Sequence, residues 1–128
     1  NALGSRIGVA VDPIAPPSAE VRTRAVRIRP EIAATILPRD LNVVVERLDP
    51  AGKPFDLIIA TNILVYYDTF EQRLALTNVA AMLAPGGLFL TNYRMSPLAP
   101  MEPAPVFVTE VQFDHKGDGD SIYAYRRR

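Results

Sequence analysis

Cysteine is absent from the 128 residues, which excludes a disulfide framework, thiolate metal sites and cysteine nucleophiles and makes the cytoplasm the default compartment. Histidine occurs once, at His115, so a cluster of histidine ligands within one chain is ruled out and no metal site is expected. Charge of one sign is lacking too. Lysine plus arginine and aspartate plus glutamate number 14 each, leaving no global field to draw nucleic acid, membranes or acidic partners. No apolar run approaches the roughly 18 residues of a spanning helix, and the start lacks the basic-then-apolar layout of a signal peptide. A soluble chain is expected, with neither nucleic acid nor membrane as partner. What the sequence does have is 48% apolar residues, and its length suits a single compact core. It begins at Asn1 rather than methionine, which fits a processed product or a piece of something longer.

Short apolar runs punctuated by proline and glycine dominate the pattern. Ile7 to Val11 ends at Asp12-Pro13, as a buried strand ending in a turn does. Residues 13 to 18 hold three prolines and form a loop, while the arginine-rich stretch Arg22 to Arg29 takes no assignment. Pro30 to Leu37 fits a short helix, with proline at its first position, Glu31 near the positive end of the dipole and Pro38 closing it. Leu41 to Leu48 contains Val43-Val44-Val45, a β-branched run typical of a strand, and the turn Asp49-Pro50-Ala51-Gly52 follows.

The strongest pattern lies between Phe55 and Tyr93. Leu57-Ile58-Ile59-Ala60 is apolar on both faces, as a central parallel strand is. Asp68 or Thr69 caps the next helix, with Glu71 or Gln72 completing a capping box. Phe70, Leu74, Thr77 and Ala81 share one stripe and Leu76, Val79, Ala80 and Leu83 another, with Glu71 and Asn78 on a narrow polar side, so most of the helix is expected to be covered. Pro85-Gly86-Gly87 stops it and Leu88 to Thr91 follows as a strand. Two strands joined through a helix imply a right-handed parallel crossover. After a proline-containing loop, Val106 to Phe113 and Ser121 to Arg126 are expected to form an antiparallel hairpin.

Two weaker signals are set aside. Asp114 to Asp120 has the outline of a calcium loop, but Lys116 stands at a ligand position and Tyr125 where a bidentate glutamate is required. The arginines at 22 to 29 and 126 to 128 read as solvated faces in a chain without net positive charge.

The stretch Phe55-Asp56-Leu57-Ile58-Ile59-Ala60-Thr61-Asn62-Ile63-Leu64-Val65-Tyr66-Tyr67-Asp68, then a helix and Leu83-Ala84-Pro85-Gly86-Gly87-Leu88-Phe89-Leu90, resembles class I, Rossmann-like S-adenosylmethionine-dependent methyltransferases from their fourth to their fifth strand. It is similar to the chemotaxis-receptor methyltransferases in particular, which carry arginine before the asparagine where this chain has Thr61. The resemblance covers a little over a quarter of the chain, and the terminal hairpin lies where the family carries its last two strands.

That resemblance implies an α/β sheet, mainly parallel with an antiparallel C-terminal hairpin and incomplete at its N-terminus, with S-adenosylmethionine as cofactor of the parent protein. Ligands of open α/β sheets bind outside the carboxyl ends of the strands, which is where Thr61, Asn62 and Ile63 fall. Asn62 and nearby backbone carbonyls either meet the amino acid portion of the cofactor or serve a turn. Tyr66 and Tyr67 either wall the adenine or substrate pocket or simply pack. The family's Gly-x-Gly loop after its first strand is followed by an acid that takes the ribose hydroxyls. Asp12 fits that acid or a strand-ending turn, and in the first case the glycine loop lies upstream of Asn1. Asp49 matches loosely the acid that meets the adenine amino group, or it serves a turn. Asn92 and Tyr93 are candidate substrate contacts; no catalytic residue stands out, since methyl transfer relies on in-line orientation and exclusion of water. The expected function is methyl transfer in the parent protein to an unknown acceptor, the segment being inactive alone. The alternative is a noncatalytic methyltransferase-like scaffold or dimerisation module, because a truncated sheet exposes a strand edge through which a homodimer can form.

Overall fold

A computed structural model describes residues 8–11, 15, 25–49, 52–112 and 119–128. The chain divides into two compact units, Asn1–Asp40 and Leu41–Arg128. Among the described residues no helix is long and apolar enough to cross a membrane.

The first unit contains strands β1, Gly8–Val11, and β2, Ala25–Ile28, paired antiparallel with Gly8 opposite Ile28 and Val11 opposite Ala25. The expected first strand is therefore present, but it joins a two-stranded sheet of its own with part of the arginine-rich stretch. Helix α1 covers only Pro30–Ala33, four residues shorter than the pattern predicts. Its end has a local cause. Thr35 Oγ1 donates to the Ile32 carbonyl at 2.7 Å and the Thr35 and Ile36 amides bond three residues back, a tightened last turn, and the residue before Pro38 is disfavoured in the α region.

In the second unit Val43-Val44-Val45 is a turn and not a strand. Asn42 overrides the β-branched preference: its Oδ1 accepts from the Val44 amide at 3.1 Å, its carbonyl accepts from the Val45 and Glu46 amides, and its own amide donates to Glu46 Oε2 at 3.0 Å. The Val43 and Val44 carbonyls, which a strand would offer to a neighbour, accept from Asn78 Nδ2 at 2.9 and 3.0 Å. Asn78 is thus half-buried and bonded, not a solvent-facing polar residue.

Strand β3, Phe55–Ala60, is followed by a 3-10 turn at Leu64–Tyr66, helix α2, Thr69–Met82, and strand β4, Leu83–Thr91. The helix starts where the capping box places it: the Glu71 amide donates to Asp68 Oδ1 at 2.8 Å and the Asp68 amide to Glu71 Oε2 at 3.0 Å, satisfying two of the four orphan amides of a helix start. It buries Ala75, Leu76, Val79, Ala80 and Met82. The other predicted stripe, Phe70, Leu74, Thr77 and Ala81, faces outward, with Phe70 69% exposed. The helix ends at Met82, before Pro85-Gly86-Gly87, which instead form a bulge inside β4. Phe55 pairs with Leu83 and Leu57 with Leu88, two residues of advance along β3 against five along β4.

β3 and β4 are parallel, and β4 pairs antiparallel with β6, Gly119–Arg127, which pairs antiparallel with β5, Met101–Gln112. The order is β3-β4-β6-β5. The hairpin is present as expected, and β5 begins earlier than predicted, its prolines being compatible with an edge strand. β3, predicted to be central, is the other edge of the described sheet. Ile58 packs on the core while Leu57 and Ile59 are 48% and 59% exposed. The core joins Leu64, Leu76, Val79, Leu83 and Phe89 with Met95, Met101 and Tyr125; full burial of each such aliphatic or aromatic side chain contributes about 1.5–3 kcal/mol.

Candidate functional site at the carboxyl ends of β3 and β4

Parallel pairing sets the carboxyl ends of β3 and β4 side by side, with Ala60 opposite Thr91. The residues that follow each strand therefore meet. Asn62 has φ +57°, the single non-glycine residue with positive φ among the described residues, and asparagine is one of the few side chains that tolerates this region. Its amide donates to Asn92 Oδ1 at 2.8 Å, and Asn92 Nδ2 donates back to Asn62 Oδ1 at 2.6 Å. One side chain thus holds both the backbone and the carboxamide of the other across the mouth of the strand pair.

The walls of this mouth are fixed from below. Gln72, in the first turns of α2, donates from Nε2 to the Leu64 carbonyl at 3.1 Å and the Tyr67 carbonyl at 2.9 Å, which binds the 3-10 turn to the helix. On the β4 side Thr91 is fully buried and its Oγ1 accepts from the Tyr93 amide at 3.2 Å. Further on, the Tyr125 hydroxyl donates to the Met95 carbonyl at 3.0 Å and accepts from the Met95 amide at 2.7 Å. Burial pushes the Tyr125 phenol above its ordinary pKa of 10.0, opposed by its Met95 hydrogen bond and by Arg94.

Of the residues predicted from sequence, Thr61, Asn62, Ile63, Asn92 and Tyr93 all fall at this end of the sheet, where Thr61 and Ile63 are exposed. Asn92 touches Asn62 itself. Tyr67 packs against the core, whereas Tyr66 is 81% exposed. Asp49 is not brought to this mouth. It lines a cleft of about 510 Å³ with Arg47, Leu48, Ala81 and Arg127, beside the end of α2 and the entry to β4. Asp12 lies outside the described residues. The roles that Gln72, Asn78 and Tyr125 take were not legible in sequence: Gln72 bonds carbonyls five and eight residues back in the preceding turn, and Asn78 and Tyr125 bond backbone groups 30 or more residues away.

The polar groups left at the mouth suit an amino acid. Asn62 Nδ2 and the Thr61 hydroxyl have no partner among the described residues, and they supply hydrogen-bond donors of the kind a carboxylate accepts. This donor set fits the methionine portion of S-adenosylmethionine. No group of three or more histidine, cysteine, aspartate or glutamate residues that could hold a metal occurs among the described residues.

Comparison with known proteins bears on the family and the fold. Residues 16–92 match the family model "CheR methyltransferase, SAM binding domain". A chemotaxis protein methyltransferase of Klebsiella aerogenes is 34% identical over 68 residues, 53% of this chain and 23% of that protein; the match thus spans about a quarter of the relative's length. The crystal structure of the N-methyltransferase NodS from Bradyrhizobium japonicum WM9, in complex with S-adenosyl-L-homocysteine, superposes with a TM-score of 0.50 at 18% identity, over 68% of this chain and 52% of that one. This likeness bears on the fold, which is that of a Rossmann-like methyltransferase. With three-fifths of its residues inside the family model and its mouth built from the matching segment, the chain belongs to the CheR family of S-adenosylmethionine-dependent methyltransferases.

Proposed function

We propose that the carboxyl ends of β3 and β4 hold the amino acid portion of S-adenosylmethionine and that the protein carrying this chain transfers the cofactor's methyl group to an acceptor. The observation that carries this reading is the left-handed Asn62 at the end of β3, fixed by Asn92. The Asn62 carboxamide and Thr61 hydroxyl donate to the carboxylate, and the backbone of Thr61 to Ile63 accepts from the ammonium. Tyr93 borders the acceptor side, and Tyr66 and Tyr67 contribute through the loop they occupy. The bound cofactor supplies an electrophilic methyl group, so the task of these residues is to orient it and exclude water.

Methyl transfer belongs, in this reading, to the longer protein, and the 128 residues alone are inactive. Asp49, the candidate for the adenine end of the cofactor, sits with the cleft beside α2. The exposure of Leu57 and Ile59 on an edge strand favours one second reading, a noncatalytic module that associates with a second copy through that edge.

Calorimetric titration of S-adenosylhomocysteine into this chain, into the full-length protein and into its Asn62→Ala variant separates these readings. Binding by the full-length protein, weakened at least about tenfold by Asn62→Ala (about 1.4 kcal/mol), supports the site. Binding by neither protein overturns it, and light scattering that then reports a dimer selects the module.

A further inference from the structure

We propose that Asn92 is a positioning residue for the cofactor site and not a substrate contact; the proposal rests on the site reading above and assigns a new role within it. The two asparagines are 30 positions apart and come from the ends of different strands, yet they exchange two hydrogen bonds. The first bond, from the Asn62 amide, holds a backbone conformation that an L-residue adopts only at a cost. The second occupies Asn62 Oδ1 with a donor and so fixes the plane of the carboxamide. With Oδ1 taken, Nδ2 is the group left for a ligand, and it is a donor, the polarity that a carboxylate requires. Asn92 thereby selects which end of the Asn62 side chain the ligand meets.

Asn92 itself has both polar ends engaged, Oδ1 by the Asn62 amide and Nδ2 by the Asn62 oxygen. Its neighbour Thr91 is fully buried and pairs with both Ala60 and Tyr123, so the residue stands on a rigid base. This is the arrangement of a supporting residue, whose rotamer is locked and which locks another.

The chemistry makes the aspartate variant informative. Asn92→Asp keeps an acceptor for the Asn62 amide and removes the donor, so the Asn62 carboxamide turns its NH2 toward the new carboxylate and presents oxygen to the ligand. Asn92→Ala removes both bonds. Asn62→Gly retains access to positive φ without a carboxamide.

The test measures S-adenosylhomocysteine affinity by calorimetry and Asn62 amide hydrogen exchange by NMR for the full-length protein and these variants. Asn92→Asp is expected to keep Asn62 amide protection while losing at least tenfold in affinity. Asn92→Ala loses both, and Asn92→Ala in the Asn62→Gly background produces no further loss of affinity. In a methyl transfer assay the Asn92 variants raise KM for the cofactor with kcat little changed. Wild-type affinity in Asn92→Asp, or full additivity of the double variant, overturns the proposal. If the wild-type protein binds no S-adenosylhomocysteine, the site reading itself fails and the positioning role falls with it, while unchanged Asn62 exchange in Asn92→Ala would show that the clamp does not form.

Discussion

The adjacent glycines of the β4 bulge are required for different reasons, and substitution separates them. Gly86 has φ +80° and nothing within 4 Å of where a Cβ would stand, so its constraint is conformational. At Gly87 a Cβ would lie 2.9 Å from the Ala84 carbonyl oxygen, 3.1 Å from that of Phe55 and 3.2 Å from Leu83 Cδ2. Two of those three atoms are backbone, on β4 and on its partner β3, so relief requires the strands to move apart. Gly86→Ala is expected to cost about 1–2 kcal/mol, the penalty of left-handed backbone for a residue with a Cβ, and Gly86→Asn less, because asparagine visits this region. Gly87→Ala is expected to cost about 1–3 kcal/mol as overpacking, and Gly87→Asn at least as much. Thermal unfolding followed by circular dichroism reads these as shifts of roughly 4 °C per kcal/mol for a chain of this size. Gly52, also at positive φ with open space, serves as reference and should follow the pattern of Gly86. An asparagine that is as harmful as alanine at position 86, or a neutral alanine at 87, would refute the reasoning.

Two further outcomes follow from side chains that bond backbone groups outside their own element. Tyr125→Phe leaves both polar groups of Met95 without their partner and should destabilise the chain by about 1–3 kcal/mol. Since the phenol pKa is raised on folding, its contribution is complete below pH 10.0 and is lost as pH rises through the folded value; the stability gap between wild type and Tyr125→Phe, from urea denaturation, should narrow above that pH, and a gap that stays constant contradicts this. Gln72→Leu strips the donor from the Leu64 and Tyr67 carbonyls and should cost about 1–2 kcal/mol. Gln72→Glu, an acceptor where a donor is needed, should do no better, and a glutamate variant as stable as wild type would exclude the staple.

Local signals carried much of this fold. Asp68 and Glu71 mark the helix start because a capping box is made within four residues, and the runs around Leu57 and Leu88 identify a parallel pair because a helix intervenes. Failures came where distant partners decide. Val43-Val44-Val45 looks like a strand until Asn78, more than 30 residues on, takes its carbonyls. Phe70 and Leu74 look like core, but the described part of the second unit leaves that stripe outside. The candidate site could be named at the carboxyl end of β3 because open sheets bind ligands there. The bond between Asn62 and Asn92 was not, since nothing in either segment names its partner; only strand register brings them together.

The pin at Tyr125 has a consequence for recognition. Between buried Thr91 and buried Met95, whose amide and carbonyl both end on one hydroxyl, only Asn92, Tyr93 and Arg94 span the gap. A tether this brief, anchored at each side, has little freedom to surrender when a guest arrives. Differences in affinity among guests at this rim should therefore follow the quality of their contacts rather than the entropy of ordering a loop.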